Sequence, residues 1–190
     1  MDTIFQQKSV LREKYLEKRM TLSKDEVFLF SKEIFDTFIS NFEIKANSKI
    51  HCFLPIVSKN EIDTSFFFDY CFKHNIRIFV PKVVGDKIIS IEINPDSEFK
   101  ISKWNIQEPV SNLDYGEIEF DICITPLVYC DPLGNRIGYG KGFYDKFFEE
   151  NKVISKIGLS FYKPVECVDN VFKTDVRLDY LITPNYFFVF

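Results

Sequence analysis

Short apolar runs alternate along the chain with segments whose apolar residues recur at helical spacing, and this alternation most limits the fold. Each run has the length of a buried strand and is bounded by turn residues. The predicted strands are Ile50–Leu54, Ile76–Val80 (ended by Pro81), Ile88–Ile93 (nearer an edge), Asp121–Thr125, Ile154–Phe161 and Tyr180–Thr183. Strands that alternate with helices predict an α/β fold with a largely parallel central sheet.

Four helices are predicted, two before the first strand and two between later strands. They are a basic amphipathic helix over Phe5–Met20, a second over Lys24–Phe42, a third that Asp63 and Thr64 cap and that ends at Asn75, and a short one over Tyr144–Asn151. The start of the second helix is well defined, because Ser23 and Glu26 have capping-box spacing and Leu22 and Val27 can form a hydrophobic staple. No repeat or linker divides the 190 residues. We therefore expect a single three-layer domain over residues 1–190, with helices flanking the sheet.

Composition limits the function further. A formal net charge of −4 does not favour binding of nucleic acid through bulk electrostatics, although it is compatible with a local basic pocket for one nucleotide. The five cysteines are scattered, and two histidines give no zinc site of the usual spacing. No run approaches the roughly 18 apolar residues of a membrane span, and the N-terminus lacks the apolar core of a signal peptide. We expect a reduced, soluble, cytoplasmic protein without nucleic-acid or membrane partners.

The stretch from Pro126 to Asp145, directly after a predicted buried strand, has the composition of a ligand-binding loop. It contains four of the seven glycines, which are Gly134, Gly138, Gly140 and Gly142. The last three alternate, and this allows backbone N–H groups to converge on an anion without a Cβ in the way. In a parallel sheet the stretch lies beyond the carboxyl end of a strand, where ligands bind. It matches neither the Walker loop nor the dinucleotide fingerprint.

Charged residues in the same stretch favour a phosphate site. Arg136 and Lys141 add positive charge, and the stretch leads into a helix whose N-terminus attracts phosphate. Asp145 lies in the first turn of that helix, where it is expected to hold a magnesium ion against the phosphates. The alternative is a wide surface turn with solvated charges, in which Asp145 only caps the helix dipole.

The segment Gly134–Asp145 resembles the signature of the 5-formyltetrahydrofolate cyclo-ligase family, also called methenyltetrahydrofolate synthetases. Five further segments resemble the family in the same order, and together they cover nearly the whole chain. These segments are Lys8–Arg12, Phe53–Pro55, Glu61–Thr64, Trp104–Pro109 and Asp175–Pro184. Two positions depart from the family pattern, because Phe143 stands where Tyr is common and Cys130 where an aromatic residue is usual.

The resemblance implies a reaction that uses ATP. ATP phosphorylates the formyl oxygen of 5-formyltetrahydrofolate, N10 attacks the activated carbon, and phosphate leaves to give 5,10-methenyltetrahydrofolate and ADP. An amide-like oxygen is a poor leaving group, and phosphorylation converts it into a good one. Such chemistry needs charge stabilisation and close placement of the reacting groups. It needs no protein nucleophile, which agrees with the absence of a local Ser/His or Cys/His signature.

The resemblance also implies roles for individual residues. The implied ATP-binding residues are Lys8, Arg12, Gly134, Arg136, Gly138, Gly140, Lys141, Gly142, Phe143 and Tyr144. Among these, the implied catalytic residues are Lys141, Arg136 and Tyr144. The implied substrate-binding residues are Leu54, Pro55, Glu61, Trp104 and Tyr139. Glu61 would accept hydrogen bonds from the pterin ring, and Asp145 and Asp175 are the implied ligands of Mg²⁺.

Plainer interpretations of these residues stay open. Lys8 and Arg12 are four residues apart and can form a solvated basic face of a helix. Glu61 can be an exposed loop carboxylate, Tyr144 a core residue and Asp175 a turn residue.

Two other functional classes also stay open. One is a catalytically silent protein that buffers reduced folate or a nucleotide. The other is a sugar-phosphate isomerase or a CoA-transferase-like enzyme, since α/β sheets with phosphate loops serve many reactions. The isomerase class needs an acid–base carboxylate pair, which the sequence does not reveal. We expect a monomer whose partners are its small-molecule substrates.

Overall fold

A computed structural model describes residues 4–102, 106–116 and 118–190. Its helices are α1 (Lys8–Met20), α2 (Lys24–Asn41), α3 (Ser65–Lys73) and α4 (Phe143–Glu150). Its strands are β1 (Phe5–Gln6), β2 (Lys49–Cys52), β3 (Arg77–Val84), β4 (Lys87–Ile93), β5 (Phe99–Ile101), β6 (Gln107–Pro109), β7 (Phe120–Thr125), β8 (Tyr129–Cys130), β9 (Arg136–Ile137), β10 (Val153–Leu159), β11 (Cys167–Val168), β12 (Tyr180–Thr183) and β13 (Tyr186–Val189).

The central sheet has seven strands in the order β13-β12-β10-β7-β2-β3-β4. The four inner pairings are parallel, and only the two outer strands, β13 and β4, pair antiparallel with their neighbours. The predicted α/β fold with a largely parallel sheet is therefore confirmed, as is the position of β4 at an edge. Because β2 and β7 are parallel neighbours, the segments that follow them leave the sheet at the same edge.

Helices cover both faces of this sheet. Ile122 and Ile124 of β7 join the core under α2 and α3, whereas Cys123 between them belongs to the cluster around Phe147 of α4. This alternation follows from the period of two in a strand. The strands of the central sheet come from residues 49 to 189. The assignment of residues 1–190 to a single domain stays a prediction. Within the described residues, no helix combines the length and apolarity that a bilayer span requires.

The capping box at the start of α2 is confirmed. The Ser23 hydroxyl accepts a hydrogen bond from the Glu26 backbone N–H, and the Glu26 carboxylate accepts one from the Ser23 backbone N–H. The predicted cap of α3 is different in detail. Thr64 gives no side-chain cap, because its hydroxyl donates to the Phe53 carbonyl, and Asp63 accepts from the Ser65 N–H instead.

Several predicted element ends are wrong: β2, α3 and β10 each end two residues before the predicted Leu54, Asn75 and Phe161, and larger differences occur in β3 and α1. Strand β3 does not stop at Pro81 but continues to Val84. It tolerates proline there because β2 pairs with β3 only as far as Phe79, so beyond that point one side of β3 needs no N–H donor. Helix α1 starts at Lys8, because Phe5 and Gln6 pair with β11 as a short parallel strand instead.

Candidate functional site

The glycine-bearing stretch is folded around the buried carboxylate of Asp131. Asp131 Oδ1 accepts hydrogen bonds from the backbone N–H groups of Leu133 and Asn135, at 2.9 and 2.8 Å. Its Oδ2 accepts from the Asn135 side-chain amide and from the Val168 N–H. The turn joins β8 to β9, which form a hairpin. This part of the stretch, residues 131–135, is therefore an ordered turn rather than a wide solvated one.

Gly134 has a packing reason to be glycine. Its φ is +80°, and a Cβ there would lie 2.9 Å from Cγ of Phe190, next to the end of the chain. Gly134 is buried and its carbonyl accepts a hydrogen bond from the Leu178 N–H. These contacts connect the hairpin to the C-terminal segment and account for this glycine without a ligand.

Helix α1 brings Arg12 against the alternating glycines. Arg12 Nε donates to the Gly138 carbonyl at 2.6 Å, and a Cβ on Gly140 would lie 3.4 Å from Arg12 Nη2. Gly140 has a φ of +87°, a left-handed conformation that favours glycine. Arg12 therefore lies beside the glycine loop rather than on a solvated face of α1, and its role in ATP binding stays a prediction.

The loop ends where α4 begins. Gly142 is the N-cap of α4, and its positive φ of 68° turns the chain into the helix without a side-chain cap. Lys141 is exposed and makes no hydrogen bond or ion pair with the residues that the structure describes. Phe143 packs against the Phe147 cluster, so the hydroxyl that the family commonly carries there is replaced by an apolar contact.

Two ion pairs lie beside the loop, and each joins a predicted phosphate-binding cation to a predicted magnesium ligand. Arg136 Nη2 donates to Asp145 Oδ1 at 2.8 Å, and the Val176 N–H donates to the same oxygen. Lys8 Nζ is paired with Asp175 Oδ2, which also accepts from the Phe172 N–H. The four charged side chains are all at least three-quarters buried.

Tyr144 lies under the loop, and its hydroxyl is buried without a hydrogen-bond partner in the described residues. Its ring packs at 5.5 Å from the Arg136 guanidinium and at 6.0 Å from the His51 ring. Burial raises the pKa of Tyr144 well above its usual value, so the hydroxyl stays protonated at neutral pH. Tyr144 can therefore donate or accept a hydrogen bond as a neutral phenol, or pack, but it does not act as a phenolate base.

Glu61 is buried and belongs to the same site. Its Oε1 accepts from the Tyr139 hydroxyl at 2.5 Å, and its Oε2 accepts from the Ile56 N–H at 2.7 Å. It is therefore not an exposed loop carboxylate, and Tyr139 connects it to the glycine loop. Leu54 is buried and Pro55 half-buried, directly after β2. Trp104 lies outside the described residues.

Comparison with known proteins decides which family this site belongs to. Residues 4–184 match the model of the 5-formyltetrahydrofolate cyclo-ligase family. The chain belongs to this family. The resemblance seen in the sequence motifs is thereby confirmed.

Individual relatives agree with this assignment. The chain is 32% identical to a Mycoplasma pneumoniae 5-formyltetrahydrofolate cyclo-ligase over 181 residues, which cover 92% of this chain and 97% of that protein. It is 27% identical to a probable 5-formyltetrahydrofolate cyclo-ligase of Schizosaccharomyces pombe, over 70% of this chain and 65% of that protein. The NMR structure of Aquifex aeolicus 5,10-methenyltetrahydrofolate synthetase has a TM-score of 0.77 and 27% identity, covering 96% of this chain and 92% of that one.

The donor set of this cyclo-ligase family member suits magnesium bound together with phosphates. Asp145 uses only Oδ1 in its described contacts and Asp175 only Oδ2, so each has a second oxygen for a metal. Mg²⁺ is commonly held by one or two carboxylates plus substrate phosphates and water. Across residues 4–102, 106–116 and 118–190 no cluster of three acidic, His or Cys side chains forms a metal cage. The two carboxylates therefore fit a metal that arrives with a nucleotide.

Sequence reasoning missed one charged residue of the site. Arg19 is only 4% exposed, and its Nη2 donates to the Tyr139 hydroxyl and lies 3.9 Å from Glu61 Oε1. The available signal was its spacing, since Arg19 follows Arg12 by seven residues and so lies on the same helix face.

The buried Asp131 gives a prediction about the hairpin. In Asp131→Ala, the N–H groups of Asn135 and Val168 lose their acceptor in a buried setting and that of Leu133 in a partly buried one, so the free energy of unfolding should fall by about 3 kcal/mol. Urea unfolding measures this. The matched control is Asp114→Ala, because Asp114 is exposed and, among the described residues, its side chain accepts only from the Gly116 N–H. Equal losses in the two variants would contradict the organising role of Asp131.

Proposed function

We propose that the protein catalyses the ATP-dependent cyclisation of 5-formyltetrahydrofolate to 5,10-methenyltetrahydrofolate, with release of ADP and phosphate. One observation carries the proposal beyond family membership. The glycine loop contacts Arg12 through Gly138 and Glu61 through Tyr139, so the predicted phosphate-binding and folate-binding residues meet on a single loop. A reaction in which ATP phosphorylates the folate requires such proximity.

The proposed chemistry has two steps. The formyl oxygen attacks the γ-phosphorus of ATP, the bond to ADP breaks, and the formyl carbon becomes electrophilic. N10 then attacks that carbon, the carbon–oxygen bond breaks, and phosphate leaves with the former formyl oxygen while N10 loses its proton. Both steps depend on positioning and charge stabilisation rather than on a protein nucleophile.

The phosphates are proposed to bind between α1 and the glycine loop. The Arg12 guanidinium lies against Gly138 and Gly140 at this position. Backbone N–H groups of Gly138, Gly140 and Gly142 would supply further donors to the phosphates. Lys141 has no competing partner in the described structure, so its ammonium group is available to follow the phosphoryl group as charge shifts.

The two ion pairs are proposed to exchange partners when ATP binds. Lys8 and Arg136 would turn toward phosphate oxygens, while Asp175 and Asp145 would hold Mg²⁺. When bound, the metal neutralises charge on the phosphates. Until then each cation has a carboxylate partner, which avoids a buried, uncompensated charge.

The folate head group is proposed to lie against Leu54, Pro55, Tyr139 and Trp104, with Glu61 accepting hydrogen bonds from the pterin. The burial of Glu61 favours this role, because a desolvated carboxylate makes stronger hydrogen bonds than an exposed one. We further infer that the protein works as a single-domain cytoplasmic monomer.

The first test is turnover itself. Wild-type protein should produce the absorbance of the methenyl product only when ATP and Mg²⁺ are both present, and EDTA should abolish the signal. Product without ATP would favour an isomerase-like or transferase-like enzyme. Binding of 5-formyltetrahydrofolate without any ATP hydrolysis would favour a buffering protein.

The second test concerns Lys141. If its charge stabilises the transition state more than it stabilises bound ATP, Lys141→Met should lower kcat roughly a hundredfold with little change in the folate KM. Lys8→Met should mainly raise the KM for ATP, because its phosphate contact would exist in both states. The control is Lys146→Met, since Lys146 lies on α4 but pairs with the exposed Asp86. A normal kcat in Lys141→Met would mean that the loop binds phosphate without stabilising the transition state through Lys141.

The third test concerns the metal ligands. Asp145→Asn should raise the magnesium concentration needed for half-maximal rate more than it alters folate affinity, because the amide loses the charge that attracts the cation. Magnesium titrations of the wild type and the variant measure this directly. Identical titrations would rule out Asp145 as a ligand.

A further inference from the structure

The basic residues of α1 extend from one end of the candidate site to the other. Lys8, Arg12 and Arg19 are separated by four and seven residues, so they share one face of the helix. With a rise of about 1.5 Å per residue, Arg19 lies about 10 Å farther along the axis than Arg12. Arg12 contacts the glycine loop, whereas Arg19 reaches Glu61. One rigid helix therefore connects the phosphate end with the folate end.

The Arg19 guanidinium holds three segments together. Its Nη1 donates to the Leu127 carbonyl at 3.3 Å, and its Nη2 donates to the Tyr139 hydroxyl and lies 3.9 Å from Glu61 Oε1. Tyr139 in turn donates to Glu61 Oε1, and burial together with the Glu61 carboxylate raises the pKa of Tyr139. The phenol therefore stays protonated and relays the arginine contact to the carboxylate.

Stability alone does not account for this arrangement. The Arg19 and Glu61 side chains are only 5% and 4% exposed, and a buried ion pair contributes little net stability after the cost of desolvation. Arg19 Nε is also buried and has no hydrogen-bond partner among the described residues. A guanidinium retained only for packing would be expected to have all its donors satisfied. The arrangement does specify geometry, because it fixes Glu61 Oε1 from two directions while the Ile56 N–H fixes Oε2.

A second contact supports the same conclusion. The Asn60 side-chain amide donates to the carbonyls of Arg19 and Leu22, at 3.3 and 2.9 Å. The residue before Glu61 is thus bound to the C-terminal end of α1. Both the side chain and the backbone of Arg19 therefore set where the Glu61 segment lies.

We propose that Arg19 is a positioning residue for the folate head group. Together with Tyr139 it holds the Glu61 carboxylate in one orientation, at a fixed distance from the phosphate loop, so that Glu61 can bind the pterin. This inference rests on the proposed function. Lysine is a poor substitute, because a single ammonium group cannot reach the Leu127 carbonyl and the Tyr139 hydroxyl with the forked geometry of arginine.

The test compares folate binding with ATP use. Arg19→Met should weaken binding of 5-formyltetrahydrofolate, measured by calorimetry without ATP, by roughly tenfold to a hundredfold. The KM for ATP should change by less than about threefold, because the contacts of Arg12 are unaffected. Arg19→Lys should recover part of the loss. The matched control is Arg77→Met, since Arg77 pairs with Glu92 at the amino end of β3 and should leave folate binding unchanged.

A second variant keeps the proposal testable if Arg19→Met does not fold. Tyr139→Phe removes the hydroxyl that joins Arg19 to Glu61 and leaves the charges in place, so it should also weaken folate binding. If the two residues act through the same carboxylate, the losses of Tyr139→Phe and Arg19→Lys should not add in the double variant. Variants that are less stable but bind folate normally would make Arg19 a purely structural residue and overturn the proposal.

The binding measurement also separates this proposal from the proposed function. Wild-type protein that binds 5-formyltetrahydrofolate but makes no methenyl product would overturn the enzymatic reaction, while the loss of binding in the Arg19 variants would still support positioning. Wild-type protein that does not bind 5-formyltetrahydrofolate would overturn both.

Discussion

Helix α1 packs on the β8–β9 hairpin through the stacking of Tyr15 on Tyr129. The geometry of the site depends on this contact. The two rings are nearly parallel, with centroids 3.9 Å apart. Buried Glu166 fixes both tyrosines, since its carboxylate accepts from the Tyr15 hydroxyl and its backbone N–H donates to the Tyr129 hydroxyl. Leu11 and Ile137 complete the contact. Because α1 is rigid, this one contact sets the positions of Arg12 and Arg19 together.

The electrostatics of the proposed site do not maximise stability. Among the described residues, six buried side-chain polar atoms lack a hydrogen-bond partner, and three of them are Arg19 Nε, Arg136 Nη1 and the Tyr144 hydroxyl. Unsatisfied buried polar groups lower stability, and half of those found here belong to residues of the proposed site. The ion pairs of Lys8 and Arg136 keep the remaining charges compensated.

The sequence predicted what depends on local pattern. Apolar periodicity located the sheet strands β2 and β7, and the spacing of Ser23 and Glu26 located the start of α2, because neighbouring residues determine these features. The alternating glycines likewise located the loop. The cyclo-ligase motifs added the family, which local physics alone does not give.

What the sequence did not predict depends on contacts between distant residues. From its local sequence Glu61 can be a solvated loop carboxylate, whereas in the structure it is buried against Arg19 and Tyr139. Pro81 is the kind of residue that usually ends a strand. It is tolerated inside β3 because β2 pairs with β3 only as far as Phe79, so no neighbouring strand on that side needs an N–H from Pro81. Asp131 also accepts from the Val168 N–H, which ties the hairpin to another segment. None of these outcomes is determined by residues adjacent in the chain.

The most direct measurement of the central claim follows the oxygen atom of the formyl group. The protein would be incubated with ATP, Mg²⁺ and 5-formyltetrahydrofolate whose formyl oxygen is ¹⁸O, and the released phosphate analysed by mass spectrometry. If the site brings the folate to the phosphate loop for phosphoryl transfer, each phosphate should carry one ¹⁸O atom. Methenyl product accompanied by unlabelled phosphate would contradict a phosphorylated formyl group.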